Sequence, residues 1–141
     1  MLPIDGSAAD LRQALSAEGL PIDDLMEDGR RFFRVVRSGS TVGFGGYELL
    51  GEDVLLRSLV ITSRNKGKGL GEAALGLLID KARQEGGRQG YLLTTSAAPF
   101  FARLGFRPVD RKSVPEAILT TKQVGSLCPA SATILTKRFP V

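Results

Sequence analysis

The stretch Arg64-Asn65-Lys66-Gly67-Lys68-Gly69-Leu70-Gly71 concentrates three cationic side chains and three glycines in eight residues. Glycine-rich backbone at the start of a helix leaves N–H groups pointing outward, and the helix dipole adds partial positive charge there. Arg64, Lys66 and Lys68 bring full charges to the same place. The spacing predicts an anion site, with a phosphate or pyrophosphate as its ligand. Two common phosphate loops do not fit. A nucleotide-hydrolase loop requires Gly-Lys followed by Ser or Thr, whereas Gly67-Lys68 continues to Gly69. A dinucleotide fingerprint requires a third glycine three residues after the second, where this chain has Glu72.

Two elements must hold that loop. Val54 to Ile61 is rich in branched apolar side chains and reads as a buried strand. From Leu70, the residues Ala73, Ala74, Leu77, Leu78 and Lys81 recur at helical spacing, with Glu72 in the first turn and Gly86-Gly87 as the stop. Residues 89–95 read as the next strand, Pro99 to Leu104 as a short helix, and Gly105-Phe106-Arg107-Pro108 as a turn and strand. Upstream, Ala8 to Glu18 reads as a helix capped by Ser7 and broken by Gly19-Leu20-Pro21, with a helical turn starting at Asp23 or Asp24. Phe32 to Arg37 and Thr41 to Leu50 read as a hairpin through Ser38-Gly39-Ser40. Within it, Gly43, Gly45 and Gly46 mark a bulge or a close backbone approach. Pro115 to Thr121 predicts one more helical turn after a loop at 110–113. Ala130 to Phe139 predicts the last strand, entered through Leu127-Cys128-Pro129.

The bulk properties narrow the chemistry. A chain of 141 residues is enough for one compact core and short for two, so a single domain over 1–141 is expected. No apolar run approaches the ~20 residues that span a bilayer, and Met1 to Gly6 read as having neither the basic flank nor the apolar run expected of a secretion signal. One cysteine cannot form an internal disulfide, and a cytoplasmic setting is expected. The formal charge of +4 is scattered and the aromatics are few, which argues against nucleic acid. There is no histidine. That excludes Ser-His-Asp and Cys-His catalysis and histidine-ligated metal sites, and no metal is expected. Proton transfer falls to carboxylate, tyrosine, cysteine or water.

The spacing Arg64-x-x-Gly67-x-Gly69 resembles the acetyl-CoA signature of the GNAT N-acetyltransferases. Phe100 to Pro108, with its Leu104-Gly105-Phe106 turn, is similar to a second segment of that family about thirty residues on. The resemblance implies an α/β fold: a mixed, mostly antiparallel sheet with helices on both faces. Two adjacent parallel strands, here 54–61 and 89–95, would splay apart to admit acetyl-CoA. The helical crossover between them agrees with that arrangement. It further implies that loop amides from Arg64 through Gly71, including Asn65 and Leu70, hold the coenzyme pyrophosphate. Leu59, Val60 and Ile61 would pair with the pantetheine arm, and the Val60 N–H would polarise the thioester.

Alternatives stay open at several positions. The tyrosine that many relatives use as an acid aligns with Phe101, which cannot donate a proton. Cys128 is a candidate acid for the departing thiolate, or a small core residue before a strand. Thr94 and Thr95 end the second coenzyme strand and bind ligand, or serve the next helix, which Ser96 would cap. Arg57 interrupts an apolar strand and meets either a substrate oxyanion or a neighbouring carboxylate. Glu48 and Tyr47 either steer the amine or are merely exposed. Leu55 to Leu59, Phe100 to Pro108, Ser126 to Ala132 and the region around Gly19 to Leu25 together resemble the arsenic-resistance N-acetyltransferase group. That resemblance implies a small amine acceptor, such as the amino-acid-like toxins phosphinothricin and arsinothricin, and allows a homodimer. A protein N-terminus or lysine as acceptor, and a non-catalytic acyl-CoA sensor, are the competing readings.

Overall fold

The computed structural model describes residues 1–20, 22–26, 29–62, 69–121 and 132–140. Seven strands form one sheet: β1 (Leu2–Ile4), β2 (Arg30–Arg37), β3 (Ser40–Leu50), β4 (Asp53–Ile61), β5 (Gln89–Thr94), β6 (Arg107–Pro108) and β7 (Thr133–Arg138). Their spatial order is β1-β2-β3-β4-β5-β7-β6, antiparallel except for the parallel pair β4/β5. The helices are α1 (Ala9–Ala17), α2 (Leu70–Gln84), α3 (Ala98–Arg103) and α4 (Glu116–Leu119), with a 3₁₀ turn at Arg111–Ser113. This is the mixed α/β sheet that the sequence predicts. No helix of the described residues is long and apolar enough to cross a membrane.

Alternation along the central strands sends side chains to two cores. Phe33, Tyr47, Val54 and Leu56 pack under α2 with Leu75, Leu78 and Ala82, and Phe101 of α3 and Leu104 just after it close the same face. Phe32, Phe44 and Val60 face α1 through Leu11 and Leu15. Leu55, Tyr91 and Ile134 form a third cluster with Ile118 of α4. Because Leu55 lies between Val54 and Leu56, that cluster shares its side of the sheet with α1.

Several boundaries and faces differ from expectation. Ser7 does not cap α1: Ala8 is the N-cap without a side-chain bond, and the Ser7 N–H donates to Asp5 Oδ1 instead. The buried stripe of α2 is Ala74, Leu75, Leu78, Ile79 and Ala82, so Ala73 and the 44%-exposed Leu77 lie outside it. The apolar residues of that helix exceed what one face can bury, and spacing alone does not choose among them. Tyr47 and Glu48, for which exposure was one reading, are both buried.

Candidate active site

β4 is not a regular strand, and its irregularity makes the site. Its register with β3 pairs Gly46 with Arg57 but Phe44 with Val60, so β4 carries one residue more than its partner. Ser58 takes up the extra length with φ 59°, a left-handed conformation uncommon outside glycine. The bulge reverses the alternation. Leu55 and Arg57 face α1, and a regular strand would send Leu59 there too. Leu59 instead packs toward α2 and Val60 takes the α1 side.

On its other edge, β4 pairs with β5 only at Asp53–Gln89, Val54–Gly90 and Leu55–Tyr91. Both strands continue beyond, to Ile61 and Thr94, without pairing to each other. The gap is a cleft of about 450 Å³, lined by Leu56 to Ile61 on one wall and Leu92 to Ala97 on the other. Leu75, Leu78 and Phe101 form its floor on the α2 side, and Glu18, Gly19 and Leu20 reach it from the end of α1. Backbone groups of β4 beyond Leu55 thus face a cleft rather than a neighbouring strand, which suits an extended ligand that adds main-chain hydrogen bonds.

Helix α2 begins at the described end of the glycine-rich stretch, and its Leu75 and Leu78 line this gap. Gly69 is the N-cap of α2 with φ 74°, a backbone that favours glycine, and its carbonyl accepts from the Ala73 N–H at 3.3 Å. The N–H groups of the first turn that follow have no partner within the helix, which leaves them for an anion. Gly71 sits close under Phe100: a Cβ there would lie 3.3 Å from the ring. Arg64, Asn65, Lys66, Gly67 and Lys68 lie outside the described residues, as does Cys128.

Arg57 meets carboxylates of its own chain. Its guanidinium donates Nη2–H to Asp24 Oδ1 at 2.7 Å, Nη1–H to Asp24 Oδ2 and to Glu48 Oε2, the latter at 3.0 Å, and Nε–H to Ser58 Oγ at 3.2 Å. Arg30 joins through Asp24 Oδ2 at 3.2 Å and Glu48 Oε1 at 3.5 Å. Two guanidinium groups thus balance two carboxylates in the interior, and Arg57 also lies over the Phe32 ring at 5.7 Å. Burial opposes charge on Asp24, but the bonds and charges of Arg57 and Arg30 outweigh it and hold its carboxyl below the usual range. Burial likewise opposes charge on Arg57, and its bond to Asp24 leads the contributions that raise it instead. Of the two readings of Arg57, the neighbouring carboxylate is the one observed. The partner, Asp24, lies 33 residues earlier in a connecting turn, where no spacing could mark it.

The remaining candidates line the cleft. Thr94 Oγ1 accepts from the Ala97 N–H at 2.9 Å and the Ser96 N–H at 3.3 Å, so Thr94, and not Ser96, ties down the entry to α3. Thr95 is exposed on the rim. Phe101 reaches the cleft from α3, edge-on to Phe100 at 5.0 Å and Phe106 at 5.9 Å. Among the described residues, Glu18 is the one cleft-lining carboxylate that sequence reasoning missed, since its place at the end of α1 reads as a surface position.

The acetyltransferase (GNAT) family matches residues 7–106. No curated protein matches the sequence. Among solved structures, N-acetylglutamate synthase from Neisseria gonorrhoeae, complexed with coenzyme A and N-acetyl-glutamate, is similar at TM-score 0.76 and 18% identity, over 99% of this chain. The chain spans only 35% of that larger protein. Tetrahymena GCN5 is similar at TM-score 0.74 and 13% identity, over 93% of this chain and 85% of its own. An aminoglycoside 6'-N-acetyltransferase complexed with coenzyme A is similar at TM-score 0.71 and 17% identity, over 100% and 98%. At these identities the likeness is one of fold.

Proposed function

Because this chain belongs to the acetyltransferase (GNAT) family, we propose that it moves an acetyl group from acetyl-CoA to the amine of a small molecule. The observation that carries this reading is the opened joint between β4 and β5, lying beside the glycine-started helix α2. The cleft fits the coenzyme: a strand edge without a partner suits the pantetheine amides, and a helix N-terminus suits the pyrophosphate. Leu59, Val60 and Ile61 supply the strand edge. Residues 64–71 supply the anion cradle, with Thr95 on the opposite wall and Phe101 on the floor.

Acetyl-CoA brings the activated acyl carbon. The chain's part is to hold that carbon against the amine and to place a β4 backbone N–H at the carbonyl oxygen, where negative charge grows. The Val60 N–H expected in that role faces β3 instead, two residues from the Thr62 N–H that donates to the Val42 carbonyl at 2.9 Å, so a neighbouring β4 N–H on the cleft side takes its place. The amine nitrogen bonds to the carbonyl carbon, the carbon–sulfur bond breaks, and the ammonium proton passes to water. Phe101 offers no proton to the sulfur. Cys128 is the candidate for that role. Arg57 and Arg30, with Glu48 and Asp24, act from behind the cleft wall, as a neutral cluster that fixes the β4 bulge. Thr94 sets the turn that carries Thr95 and Phe101.

For the acceptor we favour an amino-acid-like amine. The four segments that resemble the arsenic-resistance group support it, and so does the N-acetyl-glutamate held by the Neisseria relative. The test is thiol release from acetyl-CoA with phosphinothricin, arsinothricin, glutamate, simple amines, a peptide and an aminoglycoside as acceptors, with products identified by mass. Turnover confined to amino-acid-like acceptors supports the reading, and turnover confined to peptides or aminoglycosides overturns the acceptor. Gly69→Glu places a carboxylate at the anion cradle and is expected to abolish acetyl-CoA binding. Unchanged affinity in that variant would overturn the loop assignment.

A further inference from the structure

At the other end of α2 from the glycine loop lies a second recess, of about 320 Å³, separate from the cleft between β4 and β5. Tyr47, 0% exposed, forms part of its wall, with its ring stacked on Phe33 at 5.9 Å. Its hydroxyl makes no hydrogen bond. Interior hydroxyls in folded proteins nearly always have a partner, so an orphan beside a recess points to something that fills it. Burial pushes the phenol up to about 12, reinforced by the Glu85 carboxylate, which lies beside it but outside hydrogen-bonding geometry. At ordinary pH the group is therefore a donor.

Lys81, on the last turn of α2, lines the same recess and has no ion-pair partner among the described residues. Arg31 and Glu85 neutralise each other at 3.5 Å on the partly exposed rim. The Tyr47 hydroxyl and the Lys81 ammonium are then two donors of the recess that suit an acceptor carrying negative charge. Ile4 and Phe33 supply apolar wall beside them. We propose that this recess binds a small organic carboxylate with an apolar body, its carboxylate accepting from the Tyr47 hydroxyl and pairing with the Lys81 ammonium. It is a site distinct from the transfer cleft.

The test is an amide-detected NMR titration of the full chain with sodium benzoate, against sodium phosphate and sodium chloride at matched ionic strength. Saturable benzoate shifts at Arg31, Tyr47, Gln84 and Glu85 are expected, together with about a tenfold loss of affinity in both Tyr47→Phe and Lys81→Gln. Tyr47→Phe removes only an unbonded hydroxyl and Lys81 is partly exposed, so both variants keep the fold. Thermal melts alongside check this. Three results would overturn the proposal: no saturable shift, as expected if water alone fills the recess; equal affinity for phosphate, which would make it a plain anion site; or benzoate affinity unchanged in both variants.

Discussion

Asp24 sits in a connecting turn at 1% exposure, with both oxygens held by guanidinium groups. Asp24→Asn keeps the shape and removes the charge, leaving Arg57 and Arg30 against Glu48 alone. Breaking a buried pair from one side costs about 3–5 kcal/mol, and a urea midpoint measures it. The acid dependence carries a sign. The Asp24 carboxyl is held below its ordinary value of 3.8, so its contribution is complete above that pH and is lost as pH falls from there through the depressed value. The variant is expected to show a shallower fall in stability across that acid range. An unchanged slope would place the acid sensitivity elsewhere. Phe101→Tyr tests the chemistry directly. The ring already lines the cleft, so a hydroxyl added at its tip restores the proton donor that many relatives carry at the aligned position. General acids contribute about 10²–10⁴-fold, so a rise of at least about tenfold in kcat is expected from thiol release. No rise would mean that loss of the thiolate does not limit turnover.

Between residues and fold stands the β3/β4 pair, where three glycines answer three different neighbours. A Cβ at Gly45 would meet the end of the Leu78 side chain at 2.6 Å, which can shift. One at Gly46 would meet the Arg31 carbonyl at 2.6 Å and the Phe32 ring, which cannot shift without opening the β2/β3 ladder. Overpacking costs about 1–3 kcal/mol. Gly46→Ala is expected at the upper end and Gly45→Ala at the lower, in paired thermal melts; the reverse order would mean the strand yields more easily than α2. These glycines were legible in the sequence as a close approach, because a missing side chain inside a strand reports missing space. Ser58 was not legible. It takes the left-handed bulge with an ordinary side chain, and only the register against β3 exposes it. β1, with three residues, is too short for any period to show, whereas the two residues of β6 were legible from the Gly105-Phe106 turn that precedes them. The strand before the glycine-rich stretch and the helix after it were legible because apolar runs and glycines are local signals. The Arg57 cluster was not, because its partners join only when the sheet forms.

At the scale of the whole molecule, the sheet is two half-sheets joined at one seam. β1-β2-β3-β4 meets β5-β7-β6 through three parallel residue pairs, and beyond Leu55 only side chains and the α2 core bridge the gap. A ligand whose backbone groups pair with the open edge of β4 and whose pyrophosphate sits on α2 would close that gap as an inserted strand does. Acetyl-CoA is therefore expected to stabilise the whole fold. At one hundred times its dissociation constant the gain is about 2.7 kcal/mol, or roughly 10 °C in Tm for a domain of this size. The distribution of that gain is the sharper test. Without ligand, the seam is where sub-global opening costs least, so amides of Leu59 to Ile61 and Leu92 to Thr94 are expected to exchange faster than those of β2 and β3. With acetyl-CoA the seam amides should slow most. In Gly69→Glu neither the exchange pattern nor the Tm should move on addition of acetyl-CoA. Slowing confined to β1 to β3 would mean that the coenzyme binds elsewhere, and the open joint would lose its assigned role.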